Sequence, residues 1–524
     1  MKFVSDPSIA NKIAKMKQRV LWRDPVMQQR DIDQTRLFLD DGREDSPEFS
    51  FLVLGDSGSG PHRGHNPQRQ IAEQMLSHRD ECRFILHTGD VVYLVGSSEY
   101  YPKNFIEPYR DFIVGGEHFK SLAYDRMVFN VPFLPVPGNH DYYDLPFFYG
   151  VLAQAALPIR RLLESRIDLD VGWRGSGQGN VYARAFLDYL KAFSSAAEVT
   201  AHLERHYTIK TNSGYCLRYQ PGHFTRLPNR YYTFRAGNID FFALDSNTFN
   251  EPEPPPPTPT GDRYRKQLED QRADLDKQIL EILGTSANLD PNKPDEEEQL
   301  DDLHAKLEQL EELKQDIDKQ LAPKKGPTID SEQLEWLQQR LIESWHTKSV
   351  RGRVIFFHHP PYVTEATKWH QAQTLTVRRN IRRVLNAVAA SVKEITQGRP
   401  VVDLVLNGHA HCLEYLRTVD TGHADAYTNW IVCGGSGYSL RRQRQEGTEL
   451  TEFFGGSGSG DERAVAKSHL YVGRSGQGSR KRRPYSCLRI DVKEGTPPKF
   501  VVRPIVSEYS QRDWQQYEMD SFVI

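Results

Sequence analysis

Five short polar clusters carry the residues able to do chemistry: GDSG (55–58), GDVVY (89–93), GNHD (138–141), HHPP (358–361) and NGHAH (407–411). Together they offer Asp56, Asp90, Tyr93, Asn139, His140, Asp141, His358, His359, His409 and His411. Carboxylate, amide and imidazole groups without cysteine form a ligand set suited to iron, manganese or zinc. A single His or Asp in such a place is ordinarily a cap or a satisfied interior group. Five clusters ending alike are not explained that way, and gathered unpaired in an interior they would be costly. The reading is a metal centre. No Ser/His or Cys/His arrangement of protease type competes, and Ser57 and Cys412 read as structural.

Each cluster follows an apolar run: FSFLVL (49–54), RFILH (83–87), VPFLPV (131–136), RVIFF (353–357) and VVDLVL (401–406). Runs of this kind read as strands buried on both faces. Helical spacing over Pro67–Leu76 and Val377–Val392 sets helices between them, which implies an α/β fold with an at least partly parallel sheet. In such sheets ligands lie beyond the carboxyl ends of the strands, where all five clusters stand.

Other segments interrupt this scheme. Residues 1–48 read as a charged N-terminal extension, and 142–228 as a helical and Gly-rich insertion in a first catalytic part, 49–249. RYYTFRAGNIDFFALDS (230–246) reads as two strands around an Ala-Gly-Asn turn. The span 250–328 opens with a stiff EPEPPPPTPTG linker. Leu268, Leu275, Ile279 and Ile282, then Leu300, Leu303, Leu307, Leu310, Ile317 and Leu321, follow 3–4 spacing, so 262–322 reads as an antiparallel coiled-coil hairpin. A second catalytic part, 329–506, begins with a helix capped by Asp330 or Ser331. Within it 441–483 reads as a mobile basic Gly-rich loop whose RKRR (480–483) is solvated, and 507–524 is a C-terminal tail.

In their order, GD-x-G, GD-x-x-Y, GNHD, H-x-P and GH-x-H resemble the calcineurin-like metallophosphoesterase superfamily, most closely the small, tartrate-resistant type of purple acid phosphatase. Many relatives carry D-x-H in the first motif, whereas this chain has Gly58 there and Tyr93 to fill the missing ligand role. NFIEPYRDF (104–112) and GHAHCLEYL (408–416) are also similar to the small type. The resemblance spans about 49–141, 230–249 and 329–437. It implies an α/β metallophosphoesterase fold of two facing mixed β-sheets flanked by helices, with a dinuclear site at the strand ends. It further implies that Asp90 bridges two metals, one held by Asp56, Tyr93 and His411 and the other by Asn139, His358 and His409. His140 would assist the leaving group, oriented by Asp141. His359 would either face substrate or pack structurally, and His370 would be a second phosphate-facing group. A phenolate from Tyr93 suits Fe³⁺, with Fe, Zn or Mn as the second ion; a Mn²⁺ or Zn²⁺ pair with Tyr93 merely packing is the alternative.

The implied reaction is hydrolysis of a phosphate monoester, on a small molecule or a phosphoprotein, by a metal-bound hydroxide formed from a bridging or terminal water. Alternatives are a phosphodiesterase acting on nucleotide or lipid head-group diesters, and a coiled-coil scaffold with a vestigial site. The hairpin is expected to dock a protein partner or a second copy.

Composition bounds these readings. The 524 residues carry 67 Lys and Arg against 70 Asp and Glu, net -3, and mean hydropathy is -0.63. That average argues against a dedicated nucleic-acid or membrane-surface binder. It also conceals segregation: 262–322 holds 18 acidic and 9 basic residues, the rest 52 acidic and 58 basic. The five cysteines are scattered without a C-x-x-C pair, and no signal-like or membrane-spanning apolar stretch stands out, so the expected location is cytoplasmic.

Overall fold

A β-branched run that pairs along both edges can bury both faces. The runs ahead of the five clusters do so in the computed structural model, which describes residues 4–43, 45–62, 65–145, 175–290, 292–322, 328–454 and 461–524. The strands are β1 (Ile32–Leu39), β2 (Phe49–Leu54), β3 (Cys82–His87), β4 (Phe133–Pro135), β5 (Ile209–Thr211), β6 (Gly214–Tyr219), β7 (Tyr232–Ala236), β8 (Ile239–Ala243) and β9 (Gly352–Phe356). They continue with β10 (Leu404–Asn407), β11 (Leu413–Thr418), β12 (Asn429–Cys433), β13 (Glu449–Phe454), β14 (Asp461–Val472), β15 (Arg482–Lys493), β16 (Lys499–Ser510), β17 (Asp513–Glu518) and β18 (Phe522–Val523).

Two mixed sheets result. One has the order β13-β14-β11-β12-β10-β9-β8-β7-β1-β6-β5; the other is β17-β16-β15-β2-β3-β4, with β18 against β16. β2, β3 and β4 are parallel and end flush, Leu54 opposite His87 and His87 opposite Pro135. β8, β9, β10 and β12 are likewise parallel, with Phe356 opposite both Ala243 and Leu406. The inner faces meet through aromatic side chains: Phe84 lies edge-on to Phe234 and Phe241, each at 5.3 Å between ring centroids. Such pairs add to the burial they already contribute. Outside, Leu334, Leu337 and Leu341 of the helix Ser331–His346 and Val377, Ile381 and Val388 of the helix Ala372–Thr396 cover the first sheet. The helix Pro67–Leu76 buries Ile71, Ala72 and Met75 on the second. This is the expected α/β architecture of facing mixed sheets flanked by helices, and Asp330 is the cap of Ser331–His346.

Three segments differ from expectation. The N-terminal stretch contains β1, which lies inside the first sheet between β6 and β7. Its polar residues disguise it, because Asp33 is buried against Arg340, Ser213 and Thr35 rather than exposed. Much of 441–483 is ordered rather than a mobile loop: β13 and β14 form an antiparallel pair, and β14 docks on β11. Lys481 and Arg483 are not solvated but buried in ion pairs. The tail closes the second sheet as β17 and β18. GGSGSG (455–460), residues 146–174 of the expected insertion and 323–327 lie outside the described residues.

Between β8 and β9 in the chain stand the helices Pro259–Ser286 and Pro294–Leu321. The first begins earlier than expected because Thr258 caps it and Pro259 takes the first helical position. Cross-contacts Arg272–Asp318 and Asp276–Lys314 run in opposite senses along the two helices, which makes them antiparallel. Leu268, Leu275, Ile279 and Ile282 meet Leu307, Leu310 and Ile317 in an apolar seam separate from the body's cores. Among the described residues, no helix is long and apolar enough to cross a membrane.

Candidate metal centre

Because the parallel strands of both sheets end at the same edge, the polar clusters converge there. Three of the gathered residues sit in the left-handed backbone region, Asp56 at φ 53°, Asp90 at 56° and His409 at 66°. For residues with a Cβ this is a strained conformation that surrounding structure must enforce. Gly138 belongs to the same enforcement: a Cβ there would stand 2.1 Å from Asp90 Oδ1.

The side chains interlock. The Tyr93 hydroxyl lies 3.0 Å from Asp56 Oδ1, 2.9 Å from Asp90 Oδ2 and 3.3 Å from His411 Nε2. On the other side of Asp90, His358 Nε2 is 3.3 Å from Oδ2 and 2.9 Å from Asn139 Oδ1. His358 Nδ1 donates to the Thr88 carbonyl at 2.9 Å, and His411 Nδ1 donates to that of Ser439 at 3.0 Å. Each ring therefore keeps Nε2 for the centre. His409 enters through its backbone N–H, which donates to Asp56 Oδ2 at 2.9 Å. The trios His358, His359, His409 and Asp56, Asp90, His358 each bring their ligand atoms within 4.8 Å of one another.

This donor set fits a cation. One phenolic hydrogen faces three acceptors, and one imidazole nitrogen faces two, so electron pairs outnumber protons. Burial pushes the Asp56 carboxyl well above the usual carboxylate range, and Asp90 adds to that rise. Burial pulls His358 down, but Asp90 outweighs it and the imidazole rises to about 9. Burial and the nearby Lys368 and Arg441 hold His409 and His411 well below their usual range. Neutral imidazole is the form that binds a metal.

The hydrogen bond that orients His140 differs from the one the resemblance implies. Asp141 does not touch His140; its carboxylate accepts from the backbone N–H of Gly138 at 2.8 Å, Asp90 at 3.1 Å and Val91 at 3.2 Å. It pins the two loops carrying Asp90 and Asn139 together, since only a carboxylate has enough lone pairs for three amides. His140 is instead oriented by the Leu94 carbonyl, to which Nδ1 donates at 2.6 Å, leaving Nε2 4.0 Å from Asp90 Oδ2. His359 is buried and structurally bonded, to Ser246 Oγ at 2.7 Å and Asn250 Nδ2 at 3.1 Å. His370 is exposed and packs beside Trp369, away from the centre.

Several residues were missed from sequence. Tyr438 stacks on Tyr93 at 3.9 Å between centroids. Lys368 Nζ lies 3.0 Å from His409 Nε2, and Gln373 Nε2 3.2 Å from it. From the second hairpin helix, Glu308 and Glu312 reach Arg441 and Lys368. A cavity of about 170 Å³ lies between this helix and Tyr93, Asn139, His140, His409 and His411. Lys368 sits two residues from His370 in a stretch whose loop length gave no register, and no spacing links it to residues of the hairpin.

No protein-family model and no curated protein matches the sequence. Solved structures similar to the chain include the purple acid phosphatase PPD1 from yellow lupin (Lupinus luteus) seeds, at TM-score 0.40 and 11% identity over 92% of this chain and 54% of that one. This chain thus spans about half the length of the lupin protein. PhoD aligns at TM-score 0.39 and 11% identity, over 92% of this chain and 70% of its own. GAP50, the anchor in the inner membrane complex of Plasmodium, aligns at TM-score 0.35 and 12% identity, over 90% and 88% of the two chains.

Proposed function

We propose that this chain is a dinuclear-metal phosphoesterase that hydrolyses a phosphate monoester. One observation carries the reading: Asp90 Oδ2 is shared between the Tyr93 hydroxyl at 2.9 Å and His358 Nε2 at 3.3 Å. Asp56 and His411 gather on the first side and Asn139 on the second. Asp56, Tyr93 and His411 would hold one ion, Asn139, His358 and His409 the other, with Asp90 common to both. When bound, two such cations would supply Lewis acidity toward a phosphoryl oxygen and an activated water, so that no side-chain nucleophile is needed. The buried phenol of Tyr93 favours a hard trivalent ion such as Fe³⁺ for the first position, with Fe, Zn or Mn in the second.

The chain's own residues supply the rest. His140, its Nδ1 donating to the Leu94 carbonyl and its ring lining the cavity, would in its imidazolium form pass the Nε2 proton to the departing alkoxide. Asp141 keeps the Asp90 and Asn139 loops in register, so that the donors need not reorganise during reaction. The narrow cavity beneath the hairpin suits one phosphoryl group with a small leaving group.

The test is direct. The purified protein is analysed for bound metals and assayed on p-nitrophenyl phosphate and on its bis-ester. Hydrolysis of the first alone, lost in Asp90→Ala, supports the reading; hydrolysis of the bis-ester in preference makes it a phosphodiesterase. Visible absorption that Tyr93→Phe abolishes supports Fe³⁺, and a colourless, iron-free, active enzyme rules Fe³⁺ out.

A further inference from the structure

Beside the candidate centre lie two cations that the phosphoesterase reading does not use. Lys368 and Arg441 are each only 2% exposed at the side chain. Both are tied to the loop that carries two candidate ligands: Lys368 Nζ is 3.0 Å from His409 Nε2, and the Arg441 backbone N–H donates to the His411 carbonyl at 2.9 Å. A buried ammonium and a buried guanidinium need anionic partners, because desolvation of each is costly.

Among the described residues, their direct ion pairs come from the second hairpin helix, while buried Glu365 of the body interacts with both at longer range. Glu312 lies 2.7 Å from Lys368 Nζ and 3.7 Å from Arg441 Nη2. Glu308 lies 3.0 Å from Arg441 Nη2 and accepts from the Tyr438 hydroxyl at 2.6 Å. Asp316, one turn on, accepts from the backbone N–H of Ala372 at 2.8 Å and Gln373 at 2.9 Å. Those N–H groups open the helix Ala372–Thr396, an end that attracts anions. The hairpin thus places carboxylates where the body offers sites for an anion, directly over the cavity that reaches the candidate ligands. Its apolar seam is its own and is not shared with the body, so the helices keep their mutual packing when these ion pairs part.

We propose that Lys368 and Arg441 form a second anion subsite, and that Glu308 and Glu312 occupy it as built-in competitors until a substrate bearing a further phosphate displaces them. This rests on the phosphoesterase reading and deepens it. Two metal ions held at the centre would neutralise the scissile phosphate, so the two further buried positive charges of Lys368 and Arg441 match an additional anionic group on the substrate. The substrate class is a phosphomonoester that carries a second phosphate, and the hairpin selects for it by charging a carboxylate-displacement cost to singly anionic esters.

The experiment uses the full-length protein and isothermal titration with two probes, inorganic phosphate and methylenediphosphonate. Replacing both carboxylates (Glu308→Gln with Glu312→Gln) is expected to lower the Kd for the diphosphonate by about tenfold, as removal of a charged competitor allows, and that for phosphate much less. Adding Arg441→Met or Lys368→Met to this background is expected to return the diphosphonate to its original affinity. Unchanged diphosphonate affinity, or equal tightening of both anions, overturns the proposal. If the cation variants do not fold, the carboxamide pair alone decides, through the contrast between the two anions. Metal content and p-nitrophenyl phosphate hydrolysis of the unaltered protein are measured in parallel. Their absence overturns the phosphoesterase reading, whereas the calorimetric contrast tests the subsite.

Discussion

The strand-end centre and the hairpin above it are held by opposite means. Around the centre, Phe51, Phe84, Leu54, Leu86, Phe241 and Phe356 are fully buried, and parallel ladders bring the loops together. The hairpin has a thin seam of its own and meets the body through charges: Glu298, Asp301 and Asp302 with Arg474, Lys481 and Arg483 at one end, Glu308 and Glu312 in the middle, Lys319 with Asp6 at the other. Apolar packing is insensitive to salt and fixes positions to fractions of an ångström. Ion pairs at a boundary weaken as salt rises only to the extent that solvent reaches them, here through the half-buried carboxylates. The difference separates a part of the molecule that must not move from one able to exchange its partners.

The largest expected effect breaks the centre and leaves the hairpin alone. Asp90→Ala is expected to remove detectable phosphate-ester hydrolysis and most bound metal, because its carboxylate stands between both donor groups; metal analysis and the p-nitrophenyl phosphate assay measure it. Retained metal and activity would place the bridging group elsewhere.

Next comes packing. Phe84→Ala opens a void where four rings meet and is expected to cost about 3–5 kcal/mol of stability. Leu275→Ala truncates a buried side chain of the hairpin's separate seam and is expected to leave the main unfolding transition nearly unmoved. Urea melts compare the two, and equal losses would mean that body and hairpin unfold as one cooperative unit.

Salt sharpens the contrast further. Between 0.1 M and 1 M salt the screening length shrinks from about 10 Å to about 3 Å. Limited proteolysis within 259–321 is expected to accelerate modestly over that range, because the cations are buried and only their carboxylates are half-open to solvent, while the body stays intact. Equal rates at both ionic strengths would show that the charge pairs do not hold the hairpin down.

The smallest effect concerns pH. Glu414, on β11, is fully buried and accepts from the Thr364 N–H at 3.0 Å, and burial raises its carboxyl from an ordinary 4.5 to about 7. The folded state therefore binds this proton more tightly than the unfolded chain does. Its contribution to stability is complete below about 4.5 and is lost as pH rises through about 7. Glu414→Gln should flatten that slope, read from urea midpoints at acid and neutral pH; an unaltered slope would assign the dependence to other groups.

How much of this was legible in residues alone follows from range. β2, β3, β4, β9 and β10 announced themselves because doubly buried strands are apolar throughout, and the clusters after them are local in sequence. β1 did not, since Asp33 and Thr35 satisfy their polar groups through Arg340 and Trp336, some 300 residues away. The basic run at 480–483 looked solvated for the same reason: the acidic partners of Lys481 and Arg483 lie on the hairpin, about 180 residues earlier. Asp141 was legible as important but not in its task, because three amides from two loops converge on it only after folding. His359 and His370 could not be sorted by spacing, and only burial against Ser246 and Asn250 separates them.

The sequence by itself determined the alternation of strands and helices, the donor residues at the strand ends and the acidic character of the hairpin, all properties of short stretches or of composition. Tertiary structure alone decided which face the hairpin covers and which cations its carboxylates meet. Those depend on contacts between residues far apart in the chain, where no local pattern records the partner and only the packed geometry pairs one charge with another.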